Sequence, residues 1–130
     1  MFEMEIVFPG NKRVDAIFNG TVVKTDQPVQ AGGDGTAPAP FDLFFASIGT
    51  CAGIYVLGFC QARGIPTDGI KLIQRMNYNY QKRLFDKIEV EIQLPPDFPE
   101  KYKAAVIHAA DNCAVKKHLL NPPEIIVKTN

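Results

Sequence analysis

A run of twenty residues without a formal charge, Leu43–Ala62, constrains the fold of this 130-residue chain more than any other feature. Pro40 and Asp42 stand just before it, where a fixed φ and a carboxylate both favour the first turn of a helix. A cation, a glycine and a proline follow it, in the order typical of a helix C-terminus. The pattern predicts one long buried helix over Pro40–Arg63, around which the rest of the chain is organised.

An apolar run of this length also raises the possibility of a transmembrane span, for which about 20 apolar residues suffice. Small and polar residues dilute the run, and neither an aromatic belt nor a basic cluster flanks it. A helix that is apolar all round is equally typical of a core helix that protein covers on every side. We therefore predict a core helix and no membrane partner.

The two sides of the predicted helix differ in the size of their residues. At about 100° per residue, Ala46, Gly49 and Gly53 share one side, a strip of small residues that permits a second backbone to approach closely. Cys60 points to that side and Cys51 points away from it, so these two cysteines cannot pair with each other. The side chains expected around Cys51 form a mostly apolar wall: Phe44, Ser47, Ile48, Ile54, Tyr55 and Gly58.

The composition limits the classes of partner. Fourteen basic and fourteen acidic residues leave no net charge, so nothing indicates a nucleic-acid or acidic-lipid partner. The length fits a single domain over residues 1–130. The first residues lack the basic region and apolar stretch of a signal peptide, which predicts a cytoplasmic protein. Three cysteines in that compartment indicate buried or reactive thiols and not a disulfide scaffold.

Alternation of apolar and polar residues predicts strands on both sides of the helix. Three short strands precede it as an antiparallel meander, with Asn19-Gly20 as a hairpin turn. A two-stranded ribbon follows it, then one or two helices, and a last strand over Glu124–Thr129. The order βββ-α-ββ-α(α)-β predicts an α+β fold with a long central helix against antiparallel sheets. The half-buried face of the first strand is expected to consist of Phe2, Met4, Ile6 and Phe8.

Cys113 has the most favourable electrostatic setting of the three thiols. We expect it in the first turn of a short helix capped by Asp111 or Asn112, where exposed N–H groups and the helix dipole favour a thiolate. Cys51 lies nearly three turns into its helix, so its activation requires a neighbouring cation or a hydrogen bond from Cys113. Each thiol alone is also compatible with a buried structural cysteine, the role that we assign to Cys60.

Other chemistries find little support in the spacing of the residues. His108, Cys113 and His118 are five residues apart, which does not converge their side chains on a helix, so we expect no metal and no cofactor. The loop Asp26–Ala39 is rich in glycine, but it lacks a basic residue and the spacing of the known phosphate-binding loops. We therefore expect this loop to be a connector.

The stretch from Ala37 to Cys51 resembles the OsmC-like family, the group of osmotically inducible and organic hydroperoxide resistance proteins. That family has a proline-led long helix with a cysteine in its first half, and a second cysteine far downstream opens a short helix as C-x-V. Cys113-Ala114-Val115 matches this motif, and the turn Arg83-Leu84-Phe85 also fits. Because the element order agrees as well, the resemblance covers nearly the whole chain.

The resemblance implies an intertwined homodimer with the two long helices at its centre, and a thiol-dependent reduction of organic hydroperoxides. Cys51 would attack the peroxide and become a sulfenic acid, and Cys113 would then close a disulfide. A dithiol reductant would restore both thiols. From the apolar wall expected around Cys51, the candidate contacts for an apolar substrate are Phe44, Ile48 and Tyr55.

One pair of family residues is missing from this chain. Active members hold the first cysteine with an arginine from the loop before the helix, and a glutamate after the helix-entry proline pairs with that arginine. Here Asp26–Phe41 contains no basic residue and Phe41 stands at the glutamate position, as in a divergent branch of the family. Two further functions therefore stay open: a non-catalytic dimeric binding protein for an apolar small molecule, and a redox sensor that uses the pair Cys51 and Cys113.

Overall fold

The computed structural model describes residues 2–130 and has the α+β architecture that the sequence predicts. Its internal contacts divide the chain into two compact units, the first ending at Ala46 and the second covering Ser47–Asn130. The single domain over residues 1–130 stays a prediction.

The first unit contains a three-stranded antiparallel sheet in the order β1 (Glu5–Gly10), β2 (Arg13–Phe18) and β3 (Thr21–Thr25). The hairpin between β2 and β3 turns at Asn19 and Gly20 with φ angles of 47° and 74°, so both turn residues adopt the left-handed region that a two-residue turn favours. The predicted meander is confirmed. The prediction that one face of the first strand is buried is wrong. Within residues 2–130, the side chains of this face are 44% to 81% exposed: Phe2, Met4, Ile6 and Phe8.

A buried carboxylate organises the loop between β3 and the long helix. Asp26 is fully buried and accepts hydrogen bonds from the N–H of Gln27 at 2.7 Å, and from the hydroxyl and N–H of Thr36 at 2.6 and 3.0 Å. Arg13 forms an ion pair with Asp34 at 2.8 Å and lies 4.0 Å from Asp26. The Thr36 hydroxyl and the N–H groups outweigh the effect of burial and lower the pKa of Asp26 to about 2. The loop thus folds around its own polar centre, and its role as a connector stays a prediction.

The long helix α1 covers Pro40–Ala62 and ends one residue before the predicted boundary. Asp42 lies in its first turn and accepts a hydrogen bond from the N–H of Ala39 at 3.2 Å. Gly64, with a φ of 64°, follows its C-terminus. By length and composition alone α1 could cross a bilayer, a criterion that the core helix of a soluble protein also meets. The expectation that protein covers α1 on every side is not met within this chain, because only 28% of its most apolar window is buried.

The second unit holds a two-stranded antiparallel ribbon, β4 (Lys71–Asn79) and β5 (Leu84–Gln93), followed by α2 (Lys103–Asp111) and α3 (Ala114–Leu120). A short 3-10 turn precedes α2. The core of this unit joins the C-terminal half of α1 to α2 and to the ribbon. Its buried centre consists of Val56, Cys60, Phe98 and Val106.

The start of α3 differs from the sequence-based expectation. Cys113 is itself the N-cap residue, with an extended backbone at φ −58° and ψ 137°, and its Sγ accepts the N–H of Lys116 at 3.3 Å. The prediction that Asp111 or Asn112 caps this helix is therefore wrong. The sulfur of Cys113 takes the acceptor role that an oxygen usually fills at an N-cap.

The last predicted strand, Glu124–Thr129, is also wrong, because this segment has no regular secondary structure. A strand requires a neighbour for its hydrogen bonds, and none of the strands described in residues 2–130 pairs with it. Three consecutive apolar side chains on this segment are 71% to 94% exposed: Ile125, Ile126 and Val127.

Candidate active site

The structure brings together the two cysteines that the sequence singles out. Cys51 lies in the middle of α1 and is half-buried, whereas Cys113 lies at the start of α3 and is buried. The two thiols are in hydrogen-bond contact. The predicted proximity of Cys51 and Cys113 is confirmed, and both residues lie in the second unit.

The first turn of α3 directs its N–H groups at Cys51. Burial disfavours the thiolate of Cys51, but the N–H of Val115, the thiol of Cys113 and the N–H of Ala114 all donate hydrogen bonds to its sulfur. Together these donors outweigh burial, so the pKa of Cys51 lies below the ordinary thiol value. Cys51 is thus the sulfur that carries negative charge more readily.

Cys113 is shifted in the opposite direction. Burial raises the pKa of the Cys113 thiol, and the neighbouring Cys51 raises it further against the lowering effect of the Lys116 N–H. The ammonium of Lys116 is already paired with the carboxylate of Asp111. The expectation that Cys113 has the better electrostatic setting is therefore wrong, because the N–H groups of Ala114 and Val115 in the first turn of its helix donate hydrogen bonds to Cys51.

Cys60 lies apart from this pair in the core of the second unit. Its side chain is fully buried beside Val56, Phe98 and Val106. Burial raises the pKa of Cys60, and the nearby charge of Arg63 only partly opposes that effect. A buried thiol with a raised pKa is a poor nucleophile, which agrees with the structural role assigned to it.

A cavity of about 730 Å³ opens beside Cys113 in the second unit. It lies between β5, α2, α3 and one turn of α1, and its walls are mostly aliphatic. Two acidic and two basic side chains supply its polar part. The lining residues are Ile48, Ala52, Ile88, Val90, Glu91, Ile92, Leu94, Lys103, Ile107, Ala110, Asp111, Cys113, Lys116 and Leu119.

The three predicted substrate contacts lie in different surroundings. Ile48 is buried and contributes to the wall of the cavity beside Cys113. Tyr55 is 38% exposed and lines a separate open depression of about 520 Å³. The ring of Phe44, in the first unit, packs against the rings of Phe41 and Phe45 with centroids 5.4 and 5.7 Å away. A shared substrate role for these residues stays a prediction.

Sequence reasoning missed the backbone donors of Ala114 and Val115. The signal was present in the C-x-V motif at the start of a helix, since the N–H groups of a first turn have no partner within the helix. The sequence does not reveal which sulfur those N–H groups face. Within residues 2–130, no cluster of three or more His, Cys, Asp or Glu side chains is placed to hold a metal ion.

A comparison with models of protein families shows to which family this chain belongs. The model of the family described as OsmC-like protein matches residues 33–128, which include both cysteines of the pair. The chain belongs to the OsmC-like family. The predicted resemblance to this family, based on the proline-led helix and the C-x-V motif, is thereby confirmed. A search of curated proteins found no significant match to the chain.

Solved OsmC-like structures share the fold of this chain. A candidate osmotic stress induced and detoxification response protein from Psychrobacter arcticus superposes with a TM-score of 0.73 at 22% identity, over 90% of this chain and 87% of that chain. An OsmC-like protein from Mycoplasma pneumoniae superposes with a TM-score of 0.67 at 12% identity, over 94% of this chain and 89% of that chain. An organic hydroperoxide resistance protein from Legionella pneumophila superposes with a TM-score of 0.57 at 15% identity, over 92% of this chain and 88% of that chain. At these identities the OsmC-like likeness concerns the fold.

Proposed function

We propose that the protein reduces organic hydroperoxides, with Cys51 as the peroxidatic and Cys113 as the resolving cysteine. The observation that carries the proposal is the contact between two thiols whose pKa values are shifted in opposite directions. A peroxidatic cysteine reacts as the thiolate, which the lowered pKa of Cys51 favours. A resolving cysteine must lie close to the peroxidatic sulfur, and Cys113 is in hydrogen-bond contact with Cys51. Membership of a family that includes organic hydroperoxide resistance proteins supports the same assignment.

The reaction balances in two steps on these residues. The thiolate of Cys51 attacks one peroxide oxygen, an S–O bond forms, the O–O bond breaks, and the alkoxide leaves and takes a proton as an alcohol. Cys51 is then a sulfenic acid. The sulfur of Cys113 attacks Cys51, the S–S bond forms, and the hydroxide leaves with the proton of Cys113 as water. Two thiols are oxidised to a disulfide while one hydroperoxide is reduced.

The N–H groups of α3 supply the stabilisation that a family arginine gives elsewhere. Asp26–Phe41 contains no basic residue, so the chain lacks a cation from the position that the family uses. The N–H groups of Ala114 and Val115 donate to Cys51 in its place. Oriented backbone donors stabilise a sulfur anion without a side-chain charge, and they stay in position through the reaction.

The surroundings of the pair support an apolar substrate. Ile48 and Tyr55 lie one turn before and one turn after Cys51 on α1, and each lines an apolar-walled recess. An alkyl or aryl hydroperoxide would place its tail on such a surface, whereas hydrogen peroxide has no tail to bury. We therefore expect organic hydroperoxides to react faster than hydrogen peroxide.

Peroxide consumption by the purified protein tests the proposal. The intact protein with dithiothreitol should consume tert-butyl hydroperoxide catalytically, and Cys51→Ser should abolish consumption. Cys60→Ala is the matched control and should retain the activity. An intact protein that consumes no more peroxide than Cys51→Ser would overturn the proposal.

A second candidate function, the binding of an apolar small molecule without catalysis, is favoured by the cavity beside Cys113. Its volume of about 730 Å³ and its aliphatic walls suit a ligand of drug-like size. Calorimetry with a long-chain fatty acid distinguishes the two functions. Stoichiometric binding that is unchanged in Cys51→Ser, together with no peroxide consumption, would favour the binding protein.

A further inference from the structure

We infer that the thiol reductant that regenerates the enzyme enters through the cavity beside Cys113 and attacks the sulfur of Cys113, not that of Cys51. The inference rests on the proposed disulfide between these residues and adds the direction in which that disulfide is opened. Two observations carry it: the position of the cavity beside Cys113, and the N–H donors that stabilise the departing sulfur of Cys51.

The cavity gives access to one sulfur of the pair. Cys113 forms part of its wall, and Cys51 is not among its lining residues. Cys113 is only 2% exposed, and the small exposed part of its surface borders this cavity. A thiol that enters this cavity therefore meets Cys113 first.

The direction of bond cleavage favours the same sulfur. Attack on Cys113 expels Cys51, whose thiolate returns to the N–H donors of Ala114 and Val115. Attack on Cys51 would expel Cys113, whose thiolate has the N–H groups of Lys116 and Val115 as donors but is disfavoured more strongly by burial. Because a thiol of lower pKa leaves faster in disulfide exchange, cleavage that releases Cys51 is the faster of the two.

The exchange balances with two thiol groups of the reductant. The first, as a thiolate, forms a bond to the sulfur of Cys113 while the S–S bond to Cys51 breaks and its electron pair passes to Cys51. The second thiolate attacks the reductant sulfur of the mixed disulfide and expels the sulfur of Cys113, which takes up a proton. The enzyme disulfide is reduced by two electrons, and two reductant thiols become one disulfide.

Trapping the first mixed disulfide tests this direction. The Cys60→Ala protein is oxidised with diamide, so that the starting disulfide does not depend on any reaction with peroxide. Butanethiol is then added, and the mixture is quenched within seconds by N-ethylmaleimide. Peptide mass spectrometry should find butanethiol on Cys113 and maleimide on Cys51. The reverse pattern at the earliest quench times would overturn the inference, and absence of a Cys51–Cys113 disulfide after hydroperoxide treatment would instead overturn the proposed function.

Two neighbouring leucines provide a matched test of the route. Leu119 lines the cavity and is 46% exposed, while Leu120 is 69% exposed and is not among the lining residues. Leu119→Asp should slow reduction by butanethiol several-fold and flatten the dependence of the rate on alkyl chain length, whereas Leu120→Asp should change neither. In the parent protein each added methylene should raise the rate by up to about fourfold. Equal effects of the two variants, or rates independent of chain length in the parent, would exclude the cavity as the route.

Discussion

The N–H of Val115, in the first turn of α3, donates a hydrogen bond to the sulfur of Cys51 in the middle of α1. With the neighbouring donors Ala114 and Cys113, this contact lowers the pKa of Cys51 although burial acts against it. The residues that stabilise the nucleophile thus come from the segment that also carries its resolving partner. The stabilisation of the Cys51 thiolate and the placement of its resolving partner therefore both depend on the N-terminus of α3.

Ala114→Pro should remove one of these donors with little disturbance of the fold. Ala114 is the first residue of α3, a position where proline is favoured, and Cys113 has the extended backbone that a residue before proline requires. We expect the pKa of Cys51 to rise and its alkylation by iodoacetamide at pH 7 to slow several-fold. Ala114→Ser keeps the N–H and serves as the control. An unchanged pH profile of Cys51 alkylation in Ala114→Pro would show that this N–H does not stabilise the thiolate.

Asp26 should make the stability of the protein depend on pH at the acid end. Its folded pKa of about 2 lies below the ordinary value of 3.8, so its charged form is stabilised by folding. This contribution is fully present above pH 4 and is lost as the pH falls toward 2. The urea midpoint of Asp26→Asn should lie below that of the parent at pH 7, and the difference should shrink between pH 4 and pH 2. A constant difference over that range would contradict the assignment.

The sequence was sufficient for the elements that depend on local patterns. The charge-free run predicted α1 to within one residue, and Asn19-Gly20 predicted the hairpin, because a helix core and a two-residue turn are determined by neighbouring residues. The carboxylate centre at Asp26 was missed, since its main donor Thr36 lies ten residues away and becomes a partner only when the loop folds back.

Predictions that required a distant partner failed or were incomplete. Glu124–Thr129 has the composition of a strand, but a strand is defined by its neighbour, and none in residues 2–130 pairs with it. The proximity of Cys51 and Cys113 followed from the family resemblance and not from spacing. The donors from Ala114 and Val115 became visible only when the orientation of α3 was known.

The homodimer stays a prediction, and apolar side chains that are exposed in this chain are candidates for its interface. On α1, Ile54 is 58% exposed, and Ile126 in the C-terminal segment is 71% exposed. An added Cβ at Gly53 would meet no described atom within 4 Å, so Gly53→Leu should be tolerated within one chain. If a second helix packs on the small-residue strip, overpacking should weaken the dimer by about 1–3 kcal/mol.

Light scattering over a concentration series measures this effect, with Gly58→Leu as the control on the same helix away from the strip. Gly49 is a poorer probe, because a Cβ there would lie 2.5 Å from Oε1 of Gln74 in the same chain. A folded monomeric parent at low micromolar concentration would contradict the dimer. Equal weakening by both variants would contradict the strip as the contact.

Cys60→Ala should separate stability from chemistry. The side chain is fully buried in the core of the second unit, so its loss should cost about 1 kcal/mol of the free energy of unfolding. Urea unfolding measures that cost, and the rate of peroxide consumption should stay within twofold of the parent. A folded variant with lost activity would require a catalytic role for Cys60.

Mass spectrometry after one equivalent of tert-butyl hydroperoxide tests the central claim most directly. We expect a bridge between Cys51 and Cys113 in the intact protein, and a sulfenic acid on Cys51 that dimedone traps in Cys113→Ser. Cys51→Ser should remain unoxidised at Cys113 on the same time scale, because burial raises the pKa of that thiol. Oxidation of Cys113 in Cys51→Ser at the rate of the parent, or an intact protein with both thiols still reduced, would contradict the account.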